Sequence, residues 1–334
     1  MRRFTIVLAS LVAVLLGATH ATAQQPVKIR VSWVAPVSNW ASILLEKKEL
    51  AQHLEKSYVM EGVRFAGTPP MVTALANNEL EVANLAYSTL AIAIENAGLE
   101  DLRVIAHEFR DGVPGHYTQE YFVLADGPIK SAQDLKGKVV ATNAAGSAVD
   151  VAMRAMLRKF GLEDRRDYTM IEAPFPTMRA MLAEKKVDMI PGVLPFSFDP
   201  ELRKIARPLF VQREAIGETE MIIWAARKTF LDKNRAAMVD FMEDTLRIVR
   251  WYLDPNNQKE AAEIAARVTK QPPARFSWLF TDRDYYRDPN MLPNLGALQK
   301  NLDMTTELGF VKAKVDIANH VDLSIVKEAA ARIK

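Results

Sequence analysis

Short polar side chains stand directly before apolar helix patterns at matching places in the two halves of this chain. Ser38 and Asn39 close the loop Ala35-Pro36-Val37-Ser38-Asn39-Trp40, and Asn143 and Ser147 bracket Ala144-Ala145-Gly146. Hydroxyl and amide groups there, together with the free N–H groups and positive dipole end of the following helix, suit the capture of an anion. Gly67-Thr68 and Tyr87-Ser88 lie in equivalent loops of the first half, and Phe175, Gly192 and Leu194 in those of the second. The candidate binding set is Pro36, Ser38, Asn39, Trp40, Gly67, Thr68, Tyr87, Ser88, Arg110, Asn143, Ala145, Gly146, Ser147, Phe175, Gly192 and Leu194. Small residues at Ala144–Ser147 let backbone approach a ligand. Trp40, Tyr87, Phe175 and Phe196 offer apolar surface, and Arg110 is the cation for an acidic group. Ser38, Asn39, Asn143 and Ser147 are equally ordinary helix N-caps. Their matched placement in both halves favours a ligand role for the set.

Residues that would convert a ligand are missing. There is no Gly-x-Ser-x-Gly elbow, His-Glu-x-x-His pair, phosphate-binding Gly-x-x-x-x-Gly-Lys loop or Gly-x-Gly-x-x-Gly turn. With no cysteine, a thiol nucleophile, a disulfide framework and a thiolate metal site are all excluded. His53, His107, His116 and His320 show no metal-ligand spacing. The chain is read as a binder without a cofactor or metal, and not as an enzyme.

The elements that hold these loops are strands alternating with helices. Val27–Trp33 alternates apolar and polar residues as a strand does, and Trp40 to about Ser57 has the spacing of a helix. Tyr121–Leu124, Val139–Thr142, Tyr168–Glu172 and Val187–Ile190 read as strands, with a helix over Ser147–Phe160 that Gly161 ends. Beyond about Lys228 the pattern is helical, with Met238, Phe241, Met242, Leu246, Val249 and Tyr252 on one packed face. One unit occurs twice. Pro69-Pro70-Met71-Val72-Thr73-Ala74-Leu75-Ala76-Asn77-Asn78-Glu79-Leu80-Glu81-Val82 is echoed by Pro176-Thr177-Met178-Arg179-Ala180-Met181-Leu182-Ala183-Glu184-Lys185-Lys186-Val187-Asp188-Met189, at a constant offset (176 − 69 = 189 − 82 = 107). Two copies of a loop–helix–turn–strand unit imply two α/β lobes with a cleft between them. The strands near Tyr121 and Met221 bracket the second copy and are the expected crossings. That gives residues 24–118 plus 223–334 to one lobe and 119–222 to the other.

The ends and the charge balance narrow the setting. Met1-Arg2-Arg3, the apolar run Ile6–Leu16 and Ala21-Thr22-Ala23 have the form of an export signal over residues 1–23, cleaved near Ala23. The apolar run is shorter than the ~20 residues needed to span a bilayer. The 43 basic and 41 acidic residues give +2; without Arg2 and Arg3 the remainder is neutral. A neutral, mixed-charge chain argues against nucleic acid and against a polybasic membrane surface.

Across the part after the signal, the chain resembles the periplasmic solute-binding proteins of ABC importers for nitrate, sulfonate and taurine. The resemblance rests on Ile29–Trp40, on Phe65-x-Gly67 leading into Ala74-Leu75-Ala76-Asn77-Asn78-Glu79-Leu80-Glu81-Val82-Ala83, and on Ser131-x-x-Asp134-Leu135-Lys136-Gly137-Lys138-Val139 before a small-residue loop and helix. It implies two Rossmann-like α/β/α lobes joined by two hinge-crossing strands. It also implies a periplasmic monomer that closes over one small ligand and delivers it to an inner-membrane ABC permease. Pro174-Phe175-Pro176 and Val193-Leu194-Pro195-Phe196 make the loops apolar, so the expected ligand is an organic anion, an alkyl or aromatic sulfonate or carboxylate. Two other readings share the fold: a ligand-sensing subunit for a membrane receptor, and an enzyme like the thiamine-pyrimidine synthases, whose Cys-rich motif has no counterpart here.

Overall fold

The computed structural model describes residues 25–333; the export signal expected over residues 1–23 lies outside them. Ten strands are described: β1 (Val27–Trp33), β2 (Tyr58–Arg64), β3 (Ala83–Ala86), β4 (Leu102–Asp111), β5 (Glu120–Leu124), β6 (Val139–Thr142), β7 (Thr169–Glu172), β8 (Ile190–Gly192), β9 (Ala206–Val211) and β10 (Thr219–Arg227). In the first half β1 pairs with β2 in parallel, and Val31 bridges to Val82 just ahead of β3. β10 then runs antiparallel between β3 and β4, giving the order β2-β1-β3-β10-β4. The second half repeats it. β6 pairs with β7 in parallel, Val140 bridges to Met189 ahead of β8, and β5 lies antiparallel between β8 and β9, for the order β7-β6-β8-β5-β9. Each sheet therefore has one antiparallel strand set between two others, β10 in the first and β5 in the second, but only β10 comes from beyond the other half.

The sequence echo is a structural one to the residue. Helices Pro69–Ala76 and Phe175–Ala183 both end in a left-handed residue that is not glycine, Asn78 at φ 56° and Lys185 at φ 57°. In the first, Glu79 N donates to Ala74 O and Asn78 N to Leu75 O; in the second, Lys186 N donates to Met181 O and Lys185 N to Leu182 O. These are the paired bonds of a Schellman cap, which satisfies the last helical carbonyls. The echo ends on the two bridge residues, Val82 and Met189. Its 107-residue period thus sets how each helix is turned back into its sheet.

The segment after Asn39 departs from the expected helix. Only short 3-10 turns form, at Trp40–Ser42 and Leu44–Leu50, with Lys47 outside helical geometry. The buried Asp244 carboxylate, from helix Arg235–Leu253, accepts from Gln52 N and His53 N at 2.8 Å each and from the Tyr58 hydroxyl at 3.0 Å. Those N–H groups are thereby taken out of any continuing helix. The stripe on Arg235–Leu253 packs as expected, with Met238, Phe241, Met242, Leu246 and Val249 all buried.

Two stretches link the sheets, 112–119 and 212–218, and they run side by side. Gln212 N donates to Gln119 O, and Arg213 N to the Thr118 hydroxyl. Gly112, at φ +79°, sits so close to the second stretch that a Cβ would lie 2.9 Å from Gly217 O. Only glycine serves there, for both conformation and space.

Candidate functional site

The carboxyl ends of β1, β3, β6 and β8 converge on a small inner cavity of about 60 Å³. Ser38, Asn39, Thr68, Asn143, Ser147, Phe175 and Leu194 of the candidate set line it. Sequence reasoning missed the apolar remainder of its wall, chiefly Phe109, Met221, Ile222 and Tyr285. Phe109 belongs to β4, and Met221 and Ile222 to β10, where the sequence signals a strand but no ligand contact, while Tyr285 comes from an irregular stretch without periodicity.

Hydrogen bonds lace the two sets of loops together over this cavity. Ser38 Oγ donates to Leu194 O at 3.0 Å, Ser88 Oγ to Gly146 O at 2.9 Å, and Asn143 Nδ2 to Ala66 O at 3.2 Å. Gly67 is pressed against the opposite loop: a Cβ there would lie 2.8 Å from Asn143 Nδ2 and 2.9 Å from Ala144 Cβ. The cleft is shut in this structure.

Most polar groups at the cavity are already engaged. Asn39 accepts from Val34 N and Ala35 N and donates to Glu108 Oε2 at 3.0 Å. Thr68 shares a hydroxyl bond with Thr89, and Ser147 donates to Asn143 Oδ1 while accepting from Asp150 N in the capping role. Beneath the loop, Glu108 also accepts from Trp40 N and Asn84 Nδ2. Burial raises the Glu108 pKa, opposed by these donors and by the charge of Arg287. Burial likewise raises Asp150, opposed by Arg154 and by the Gly146 N–H.

The helix starts are unequal as anion binders. Pro69 and Pro70 open one helix and Pro176 another, and proline has no N–H to donate. Helix Ala148–Lys159 keeps its donors, and Ala148 and Val149 line the cavity. No charged side chain lines the inner cavity among the described residues.

Several candidates fall elsewhere. Trp40 is buried behind the wall, stacked on Phe280 at 5.1 Å between ring centroids. Tyr87 is buried with its hydroxyl 3.5 Å from Ala148 O. Arg110 turns away to pair with Glu218 at 2.7 Å and to cover the Tyr286 ring. Ala145 is exposed, its N–H bonded to Glu172. Pro36 and Gly192 line a larger groove outside the cavity, which Phe175 shares. Arg287, absent from the set, lies under the wall: its Nη2 donates to Ser38 O at 2.8 Å.

One group of side chains among the described residues has the make-up of a metal site, His53 with Asp240 and Glu243. Arg332 lies 3.0 Å from the Asp240 carboxylate, and Arg247 pairs with Glu243, so both acids already have cationic partners. Buried His107 contacts Glu220, which also accepts from Asn294 N. No described helix is long and apolar enough to cross a membrane.

Known structures share this architecture. The alkanesulfonate-binding protein SsuA from Xanthomonas axonopodis pv. citri, bound to MOPS, superposes with a TM-score of 0.71 at 19% identity, covering 90% of this chain and 99% of that one. The periplasmic nitrate-binding protein NrtA from Synechocystis PCC 6803 gives 0.70 at 14% identity, with 92% and 89% covered. The desulfurization enzyme DSZB gives 0.65 at 12% identity, with 92% and 100% covered. At such identities the likeness is one of fold, the two-lobed α/β fold of periplasmic binding proteins. No curated protein sequence matches the chain. A family model described as NMT1-like matches residues 22–266, well over half of the sequence, and the chain belongs to the NMT1-like family.

Proposed function

We propose that this protein is a periplasmic solute-binding protein that closes over a small organic anion, a sulfonate or carboxylate, and hands it to an ABC-type permease. The observation that carries the reading is the cavity between the strand ends of two like sheets, bridged by bonds from one set of loops to the other. Ligands of open α/β sheets bind at such strand ends, and hinged closure shifts with ligand occupancy. The fold relatives that bind sulfonate and nitrate support it. Export through residues 1–23 and a monomeric state belong to the same proposal. So does a division into two lobes, for which the boundary at 222/223 expected from sequence is moved back. Because β10 is bonded into the first sheet from Thr219, the second hinge strand is best drawn at 212–218.

An enzymatic reading has a fold relative behind it, the desulfurization enzyme DSZB. The cavity offers it little: the Ser38 and Ser147 hydroxyls are engaged, no histidine among the described residues lines the wall, and the chain has no cysteine. A thermal-shift screen with sulfonates, carboxylates and nitrate tests the two readings. A retained ligand at a hundred times its dissociation constant should add about 2.7 kcal/mol of stability. Chemical turnover of a hit, followed by chromatography, would instead favour the enzyme.

Closure has its own test at Gly67. In Gly67→Val the side chain must displace Asn143 and Ala144 for the lobes to meet. We expect affinity for any hit to fall tenfold or more by calorimetry, while the ligand-free melting temperature stays near wild type because an opened cleft relieves the clash. Unaltered affinity would mean that this contact is not part of the ligand-bound state.

A further inference from the structure

Beyond Phe175 the inner cavity gives way to an outer groove of about 420 Å³. Trp33 and Arg64 from the first sheet, Phe175 and Phe196 from the second half, and Arg275 beyond helix Gln258–Thr269 all face it. A neighbouring recess of about 350 Å³ shares Arg64, Phe175 and Phe196, so the two make one vestibule. The inner cavity alone is well below the ~300 Å³ at which ligand pockets begin. The vestibule reaches that size.

Its charges do not balance. Arg64, Arg179 and Arg275 line the groove against one carboxylate, Asp199. Asp199 already holds two of them, Arg179 at 3.0 Å and Arg275 at 2.7 Å. Arg64 is left over. Arg64 is exposed; its guanidinium lies over the Trp33 ring, 5.2 Å from the centroid, and has no hydrogen bond or ion pair to any described residue. A guanidinium held on an aromatic face keeps its N–H edge free for a carboxylate or sulfonate. Next to it Phe175 and Phe196 are stacked at 6.1 Å and 24°, a ready surface for another flat ring.

We propose that Arg64 is the anion-binding residue of the ligand site, and that the ligand is an aromatic or similarly bulky sulfonate or carboxylate. Its acidic group sits on Arg64, its body lies along Phe175 and Phe196, and only its apolar tip enters the inner cavity. This fits an inner cavity with no charged side chain and with prolines at two of its helix starts. The inference rests on the solute-binding reading above and narrows its substrate class.

Calorimetry on the purified protein with 2-naphthalenesulfonate, methanesulfonate and neutral 2-naphthalenemethanol decides it, using wild type, Arg64→Gln and Arg64→Lys. Wild type should bind 2-naphthalenesulfonate at least tenfold more tightly than either of the others. Arg64→Gln should weaken that binding by about tenfold to a hundredfold, the range of hydrogen bonds to a charged group. Arg64→Lys should recover part of it. The ligand-free melting temperature of both variants should match wild type. Equal affinity of wild type and Arg64→Gln for 2-naphthalenesulfonate overturns the role of Arg64, and preference for methanesulfonate overturns the bulky substrate class; both leave the solute-binding reading standing. If none of a broad panel of sulfonates and carboxylates binds wild type, the solute-binding reading fails, and this inference with it.

Discussion

Replacing Arg287 with methionine should lower unfolding free energy by about 3–5 kcal/mol, the cost of stripping one partner from a buried ion pair. The guanidinium lies in an aromatic cage, 4.7 Å from the Trp40 ring centroid, 5.3 Å from Phe109 and 5.4 Å from Phe280. Its Nε is 3.5 Å from Asp284 Oδ2 and its Nη2 holds Ser38 O. Asp284 is fully buried, and burial raises its pKa against the opposing charge of Arg287. Without the arginine both Asp284 and Glu108 lose a countercharge, so their folded-state pKa values rise further. A carboxyl raised in the folded state contributes fully below its unfolded pKa and loses that contribution as pH climbs through the folded value. The deficit of Arg287→Met should therefore be larger at pH 8 than at pH 5.5. Urea denaturation at both values measures it, with Arg287→Lys as the charge-retaining control. A deficit under about 1 kcal/mol, the scale of an exposed pair, or one that shrinks as pH rises, would sink the argument. Arg287 also matters for the site, because the Ser38 carbonyl it holds belongs to the residue whose hydroxyl reaches Leu194.

What was legible in the residues is what local chemistry controls. The echo at offset 107 foretold two like units, because equivalent positions, Leu75 and Leu182, Asn78 and Lys185, Val82 and Met189, serve the same cap and the same sheet bridge in each half. The loops that meet at the cavity could be found from their place at strand ends. Pro69, Pro70 and Pro176 also announced in advance that two helix starts lack donors, a point of composition that a purely positional reading passes over.

The rest depends on partners far away in the chain. Trp40–Ser57 has helical spacing, yet Asp244, about 190 residues on, takes the N–H groups that a helix would need. Trp40 had the right neighbours for a cleft residue, but Phe280 and Arg287 come from an irregular stretch and bury it. By position Arg110 is the best-placed cation before the first crossing; Glu218, at the second crossing, claims it. Arg64 carried no sequence signal, since what sets it apart is its place in a groove whose one acid is taken by other arginines. A groove cation without a partner among the described residues becomes visible only after the acids near it have been assigned.

The hinge should be pH-sensitive, and Asp111 is the reason. It ends β4 where the chain leaves the first sheet, fully buried, accepting from the Thr118 hydroxyl at 2.7 Å and Gln119 N at 2.8 Å. Burial pushes its pKa up to about 7, only partly offset by those two donors and by the charge of Arg213 from the second crossing. Its folded value is raised, so Asp111 favours the folded state most below its ordinary carboxyl range and loses that contribution as pH rises through about 7. Between pH 4 and 7 the loss is on the order of 4 kcal/mol, at about 1.4 kcal/mol per unit. Asn in its place cannot ionise and keeps the Thr118 bond. At pH 5 Asp111→Asn should therefore be no more stable than wild type, since the rearranged Gln119 contact costs about 1 kcal/mol. By pH 8 it should have gained about 2–4 kcal/mol relative to wild type. The difference between the two proteins isolates Asp111 from every other titrating group. Urea midpoints across pH 5–8 supply it, and a flat difference would show that the carboxyl ionises at its ordinary value despite its burial. Because Thr118 bonds both Asp111 and Arg213 N, the same ionisation bears on how tightly the two crossing strands are held together. Ligand affinity should then shift with pH in wild type and lose that dependence in Asp111→Asn.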